Sequence, residues 1–524
     1  MRLVVCVFSL KIGDEGANRR AGAGVCVCVS RISKAVSRTL LMTNGRLFVL
    51  DFGAFRPAVF YSFSFCPNHR WTSFYPPGTE IVRYLQDVCA KYGITDKIQL
   101  NTDVQECRWL EEEKQWEVTI RHLYPGVGDL SSRDRLEMIK ERGEERVYIF
   151  IEKIRAKVVC SAVGGLVEPK KWPEHITGRE EFKGDIFHSA RWDYSVDLRE
   201  KNVLVIGTGC SAAQFVPKLV GPPYNAKSVT QLMRSPPWVV PRIEPPVDEK
   251  LWCKWSSRLF GNLPLLARFV RTSIFLLAES HYFRLFGGSD FHARQRKIYE
   301  ADMLKHMKKT VPEKYQEILT PNYGVGCKRR IFDSAWFPGL HDPRVELSTL
   351  PLSSLKSQSA VLGSERMYPE IGTKEQQGSE MSREIPVDVI VLANGFDVAQ
   401  WFHPLKVTGR GSEDLVEVMM KRGGPQAYQG TAMDGFPNFF IIFGPNTATG
   451  HSSVILASEN MVNYSLKFIK KVLRGDATTV EVKREAESRY TQNIQARLKN
   501  TVWMKGGCSS WYFTSDGWNS TVLP

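Results

Sequence analysis

The densest chemical signal in the chain lies just before its midpoint. An apolar run, Val203–Ile206, opens directly into Gly207-Thr208-Gly209-Cys210-Ser211-Ala212-Ala213-Gln214, and helical spacing continues through Leu219. This is G-x-G-x-x-A in the order strand, turn, helix. Gly207 permits the tight turn, Gly209 lets backbone approach a pyrophosphate, and Ala212 keeps helix and strand close. The helix N-terminus then faces the anion. The following strand, Ser228–Leu232, should end beside an adenosine ribose. An acidic residue there would hold a 2′-hydroxyl, but the chain places Met233-Arg234-Ser235 at that point. A guanidinium and a hydroxyl suit a 2′-phosphate, so the site is expected to take NADP rather than NAD.

A second constellation precedes this strand: Phe182-x-Gly184-x-x-x-His188-x-x-x-Trp192-Asp193. By spacing alone, a lone histidine between aromatics is a packed or capping residue. No cysteine or second histidine accompanies it at a metal-ligand interval. The stretch FKGDIFHSARWD nevertheless resembles the F-x-G-x-x-x-H-x-x-x-W-[PD] fingerprint of Baeyer–Villiger monooxygenases. The resemblance runs from about Pro57 to the C-terminus. It takes in YSFSF (Tyr61–Phe65), RSPPWVVPR (Arg234–Arg242), VLANGFD (Val391–Asp397), FPNFFIIFGPN (Phe436–Asn446) and GCSSWY (Gly507–Tyr512). It is nearest to the fungal branch that acts on secondary metabolites.

The resemblance implies a mechanism and its residues. NADPH reduces FAD, the reduced flavin takes up O2 to give a C4a-peroxyflavin, and that species converts a ketone to an ester or lactone. A fixed guanidinium suits the anionic species and the developing oxyanion. The family's catalytic arginine lies in a G-x-K-R motif, which Gly326-Cys327-Lys328-Arg329 matches, so the role falls on Arg329. Arg330 reads as a basic surface residue, and Lys328 as an aid to cofactor phosphate. His188 takes a conformational role in the linker that couples the domains, not a proton-transfer one. Tyr61 and Asn446 fall where the family lines its flavin, and Val104 where a backbone amide meets the adenine. An enzyme that oxygenates nitrogen or sulfur is the near alternative, which the Trp192-Asp193 ending opposes. A disulfide reductase would need the C-x-x-C that the chain lacks.

One motif is missing. A flavin domain of this kind needs an N-terminal strand, G-x-G-x-x-G and helix, and residues 1–56 do not contain it. Val4–Leu10 reads as a strand, but Gly13-Asp14-Glu15-Gly16 follows, and two carboxylates would repel a pyrophosphate. Gly22-Ala23-Gly24 precedes the β-like VCVCV run instead of following it. The position of the family's active-site aspartate, six residues before Tyr61, is Phe55. Residues 1–56 are therefore expected to be atypical for the family. An NADP-binding remnant without flavin stands as the rival to an active enzyme.

Supporting elements follow from periodicity. Glu80–Tyr92 has helical spacing, while Ile98–Leu100, Trp116–Ile120, Val147–Ile151 and Lys157–Ser161 read as strands. Arg121–Arg146 is a loop or helical insertion, and Ser353–Glu384 a surface excursion. Val387–Leu392 reads as a strand that returns to a core, with LANGF marking passage back to the flavin domain. The fold class is α/β, with two Rossmann-like domains for FAD and NADP and a helical insert. Residues 57–160 would begin the FAD domain, 161–244 and 321–386 form the NADP domain, 245–320 the insert, and 387–524 complete the FAD domain.

Composition bounds the partners. At 524 residues, with 43% hydrophobic and 24% charged residues, the chain can bury several cores. Its net charge of +14 suits an anionic dinucleotide, and residues 1–40 carry seven basic against two acidic residues. No basic face interleaved with aromatics suggests a nucleic-acid partner. Leu263–Ala278 is the most apolar internal run, yet Pro264, Arg268 and Arg271 point to a buried or membrane-surface helix rather than a span. Eleven scattered cysteines suggest reduced thiols and a cytoplasmic location.

Overall fold

The structure is a computed structural model. It describes residues 4–7, 27–30 and 58–524, apart from 131, 164–167, 243, 246, 334, 364–381, 399–400, 449–452 and 515. Asp14, Glu15, Gly22–Gly24 and Phe55 lie outside the described residues.

Five short strands assemble a parallel sheet. These are β1 (Asp185–His188), β2 (Asn202–Ile206), β3 (Ser228–Leu232), β4 (Val345–Ser348) and β5 (Val389–Leu392), in the order β4-β3-β2-β5-β1. Parallel strands are buried on both faces, which is why β5 reads Val-Ile-Val-Leu with every residue buried. One face packs α1 (Cys210–Leu219) with Trp192, Phe215, Trp336 and Phe337. The other packs Trp172, Phe182 and a small antiparallel sheet of Leu352–Lys356, Ser359–Leu362 and Arg383–Pro386.

Two expectations change here. Val389–Leu392 pairs with β2 and β1, so this strand belongs to the sheet of the glycine turn, and the passage to the other sheet comes after it. The segment expected as a surface excursion supplies the strands of the small sheet, because Leu352, Leu355, Ala360, Leu362 and Ile385 alternate inward. Its polar composition reflects the outward positions and residues 364–381.

The side expected to hold flavin is built on a second sheet. Val159–Ser161 runs parallel to Phe439–Ile441, as an open α/β sheet requires. Val4–Val7, however, lies antiparallel to both Val159–Ser161 and Val27–Ser30. Beside this sheet, Thr102–Leu110, Gln115–Leu123 and Tyr148–Ala156 form an antiparallel meander, joined in parallel by Lys406–Thr408. The insertion before Tyr148 carries the helix Ser132–Arg142.

The helical insert consists of α2 (Glu249–Asn262), α3 (Pro264–Leu285) and α4 (Asp290–Thr310). Asp248 caps α2 by accepting from the Lys250 and Leu251 amides, and Pro264 opens α3, where its missing N–H costs nothing. Among the described residues no single helix is long and apolar enough to cross a membrane.

Candidate active site

The glycine turn sits where the sheet changes direction of winding, at the carboxyl ends of β2 and β5. Gly207 has φ +119°, and a Cβ there would lie 2.5 Å from the Ala393 carbonyl oxygen. Only glycine fits both constraints. Gly209 is exposed, with open space where its side chain would be, and it precedes the first turn of α1, which carries no acidic residue. Ala212 and Ala213 are buried against the sheet, Thr208 is buried in the turn, and Ser211 and Gln214 are half-buried. An uncluttered helix N-terminus next to a glycine-only bend fits a dinucleotide pyrophosphate.

The turn is braced by residues that the glycine pattern does not reveal. Gln231, fully buried on β3, donates from Nε2 to the Gly207 carbonyl at 2.9 Å, and its Oε1 accepts from Trp336 Nε1 at 2.9 Å. The available signal was a polar residue at an inward position of a short buried strand.

Beyond β3 the structure brings together the expected phosphate-binding groups. Arg234 is exposed at the strand end, and Lys328 donates from Nζ to Ser235 Oγ at 2.9 Å. Lys328 also lies over the Tyr323 ring at 4.9 Å. A cation and a hydroxyl from segments nearly a hundred residues apart therefore meet beside Arg234.

The Cys327-Lys328-Arg329-Arg330 loop continues to the cofactor turn. Burial pushes the Cys210 thiol up from its ordinary range, with the Arg329 charge pulling it back down. Burial also pushes the Tyr512 hydroxyl up to about 12, against the charges of Arg329 and Arg330. Arg329, Cys210 and Tyr512 thus share one electrostatic neighbourhood. Tyr512 belongs to GCSSWY, whose place beside the arginine was not evident from its sequence. The two arginines differ in environment. Arg329 is exposed, whereas Arg330, expected at the surface, is buried, bonded to the Tyr299 hydroxyl at 3.2 Å and packed over the Phe286 and Tyr299 rings.

Cys327 and Cys508 form a disulfide, which corrects the expectation that the thiols are all reduced. With the Gly324 amide donating to the Gly506 carbonyl at 2.8 Å, it fastens the C-terminal segment to the arginine loop. Among the described residues, Cys66, Cys89, Cys107, Cys210 and Cys253 are free thiols.

His188 ends β1 and is nearly buried. Its Nδ1 accepts from the Ala190 amide at 3.0 Å, so the Nε2–H donates to the Gly395 carbonyl at 3.0 Å. Burial pushes its pKa down to about 4, leaving a neutral imidazole clamped between β1 and the turn after β5. That is a positioning geometry.

The flavin-side expectations fare differently. Tyr61 packs beside Ala58, Cys66, Trp71 and Tyr84. In the same YSFSF run, Ser64 donates to Glu459 Oε1 through both amide and hydroxyl at 2.9 Å. Val104 is buried in the meander opposite Ile120, with its side chain in the core. Asn446 spends both amide protons on the Asn519 and Val522 carbonyls, at 2.8 and 3.1 Å, so its side chain anchors the C-terminal tail. A flavin pyrophosphate needs a first strand parallel to its neighbours, with a glycine turn at its carboxyl end. Val4–Val7, being antiparallel to its neighbours, is not such a strand.

Residues 60–264 match the family model for flavin-binding monooxygenase-like proteins. A Baeyer–Villiger monooxygenase of Pseudomonas aeruginosa is 31% identical over 467 residues, covering 88% of this chain and 77% of that protein. The FAD-binding monooxygenase ktnD of Aspergillus niger is 30% identical over 474 residues, covering 88% and 70%. Among solved structures, cyclohexanone monooxygenase from Rhodococcus, bound to NADP+, superposes with a TM-score of 0.67 at 21% identity, covering 90% of this chain and 85% of that one. An oxidized steroid monooxygenase bound to NADP gives a TM-score of 0.65 at 22% identity, covering 88% and 84%. With the sheet, the cofactor turn and the arginine loop in this arrangement, the chain belongs to the Baeyer–Villiger monooxygenases.

Proposed function

We propose that this chain uses NADPH and O2 to convert a ketone to an ester or lactone, with Arg329 as the catalytic cation. The observation that carries the reading is the convergence of Arg329 and the first residue of α1 in one neighbourhood. Arg329 is exposed, so its guanidinium is open to a ligand that reaches the turn. Its exposure is what a group that contacts ligands needs.

Each residue has a part in this reading. The Gly207–Gln214 turn binds the pyrophosphate through backbone N–H groups, and Arg234, Ser235 and Lys328 hold the 2′-phosphate. Arg329 stays charged at any working pH and offsets negative charge that develops on the substrate oxygen. His188, neutral and clamped, couples β1 to the turn after β5. FAD, when bound, supplies the oxygen-activating chemistry. The names of the relatives support FAD as the second cofactor, with Tyr61, Val104 and Asn446 on the flavin side. The need for NADPH favours a cytoplasmic place of action.

One observation favours a second reading. The antiparallel Val4–Val7 strand does not fit a flavin cradle, which would suit an NADP-binding remnant. Purification discriminates the two. Flavin absorbance, together with a ketone-dependent gain of one oxygen atom from 18O2, supports the enzyme. A colourless protein that stays inert after incubation with FAD supports the remnant.

A further inference from the structure

The helical insert carries an apolar face that the rest of the described residues leave uncovered. On α3, Leu265, Phe269, Leu276 and Phe283 recur at intervals of 4, 7 and 7, so they fall on one stripe of the helix. They are 82, 68, 60 and 69% exposed. The opposite side is the one that packs, through buried Ala267, Ala278 and Leu285. On α2, Leu251, Trp255 and Leu259 form a second exposed row, while Phe260 turns inward and Trp252 packs edge-on against Phe74. The insert is thus anchored through one side and presents large apolar groups on the other. Folding alone gives no reason to keep these side chains in water.

Charge identifies what covers them. From Lys250 to Ala278 the chain holds five cations, Lys250, Lys254, Arg258, Arg268 and Arg271, and no carboxylate; Glu249 and Glu279 flank the stretch. Lys254 and Arg258 lie over the Trp255 ring at 5.6 and 5.9 Å. A second copy of this chain packed face to face would set these cations against their own kind. A span is opposed by the 114° bend between α2 and α3. We propose that the α2–α3 face docks on the surface of an anionic lipid bilayer. Its apolar row enters the acyl boundary, and exposed Lys250, Lys254, Arg258 and Arg268 meet lipid phosphates, whereas Arg271 turns back to donate to the Phe63 carbonyl. Trp255 sits at the headgroup level, where amphipathic rings concentrate.

Flotation of the full-length protein with two kinds of vesicle tests this. Vesicles of phosphatidylcholine mixed with phosphatidylserine should carry the protein at least about tenfold more than phosphatidylcholine alone, and added salt should weaken the binding. Leu265→Ser/Phe269→Ser/Leu276→Ser should abolish flotation without changing the melting temperature, since all three side chains are exposed. Lys254→Glu/Arg258→Glu should lower binding to the level seen with neutral vesicles. Failure of the wild-type protein to float with either vesicle overturns the proposal. So does concentration-dependent dimerisation that the triple substitution removes, since that assigns the face to a second copy.

Discussion

Lys328 Nζ donates a 2.9 Å hydrogen bond to Ser235 Oγ, joining the arginine loop to the residue that follows Arg234. The two chain segments proposed to hold the adenosine end of a dinucleotide are therefore in direct contact.

Arg234→Ala should weaken NADPH binding by about tenfold, or about 1.4 kcal/mol, and leave NADH nearly unaffected. The value is modest because Arg234 is exposed and its charge is screened. Titration of both nucleotides by intrinsic fluorescence reads the ratio. An equal loss for the two would detach Arg234 from the 2′-phosphate.

Gly207→Ala combines a left-handed backbone with a Cβ held 2.5 Å from the Ala393 carbonyl oxygen. Relief requires β2 and β5 to separate, so a stability loss of about 2–3 kcal/mol is expected, with NADPH binding lost. A urea midpoint unchanged from the parent would show that the turn tolerates a side chain.

Much of the NADP half was legible because glycine spacing, buried apolar strands and a cation after β3 are local signals. Gln231 and Trp336 were hidden because their partnership spans 105 residues. Arg329 and Arg330 are adjacent, and nothing local says which one is buried against Phe286 and Tyr299. Val389–Leu392 was recognised as a strand but given to the wrong sheet, since an apolar run carries no record of its neighbours. The Cys327–Cys508 pair was equally invisible, because scattered cysteines do not state their pairing.

His188 imposes a pH dependence on stability. Its pKa falls from 6.5 in the unfolded chain to about 4 in the fold, so the unfolded state binds the extra proton between those values. Stability is then full above about pH 6.5 and declines toward pH 4, by up to about 3 kcal/mol from this residue. His188→Gln keeps an N–H for the Gly395 carbonyl and removes the titration. Urea midpoints measured at both ends of this range should converge in the variant. Identical pH profiles for the variant and its parent would contradict the assignment.

The disulfide closes a sequence separation of 181 residues, which in the chain-entropy description is worth on the order of 5 kcal/mol at most. Thiol titration of the denatured, unreduced protein should find at least two fewer thiols than after reduction. Reduction should also lower the melting temperature by several degrees and expose the segment around Gly507 to protease. Equal thiol counts would show the pair to be unbonded.

The account rests most heavily on Arg329, whose charge acts on Cys210, the first residue of the helix after the glycine turn. The most direct test compares ester formation from a ketone, with NADPH and 18O2, in the parent protein and in Arg329→Ala, both loaded with FAD. The account predicts 18O-labelled ester from the parent and at least about a hundredfold less from the variant, a loss of some 2.7 kcal/mol or more, with NADPH affinity preserved. Ester formation at the parental rate by Arg329→Ala would contradict it.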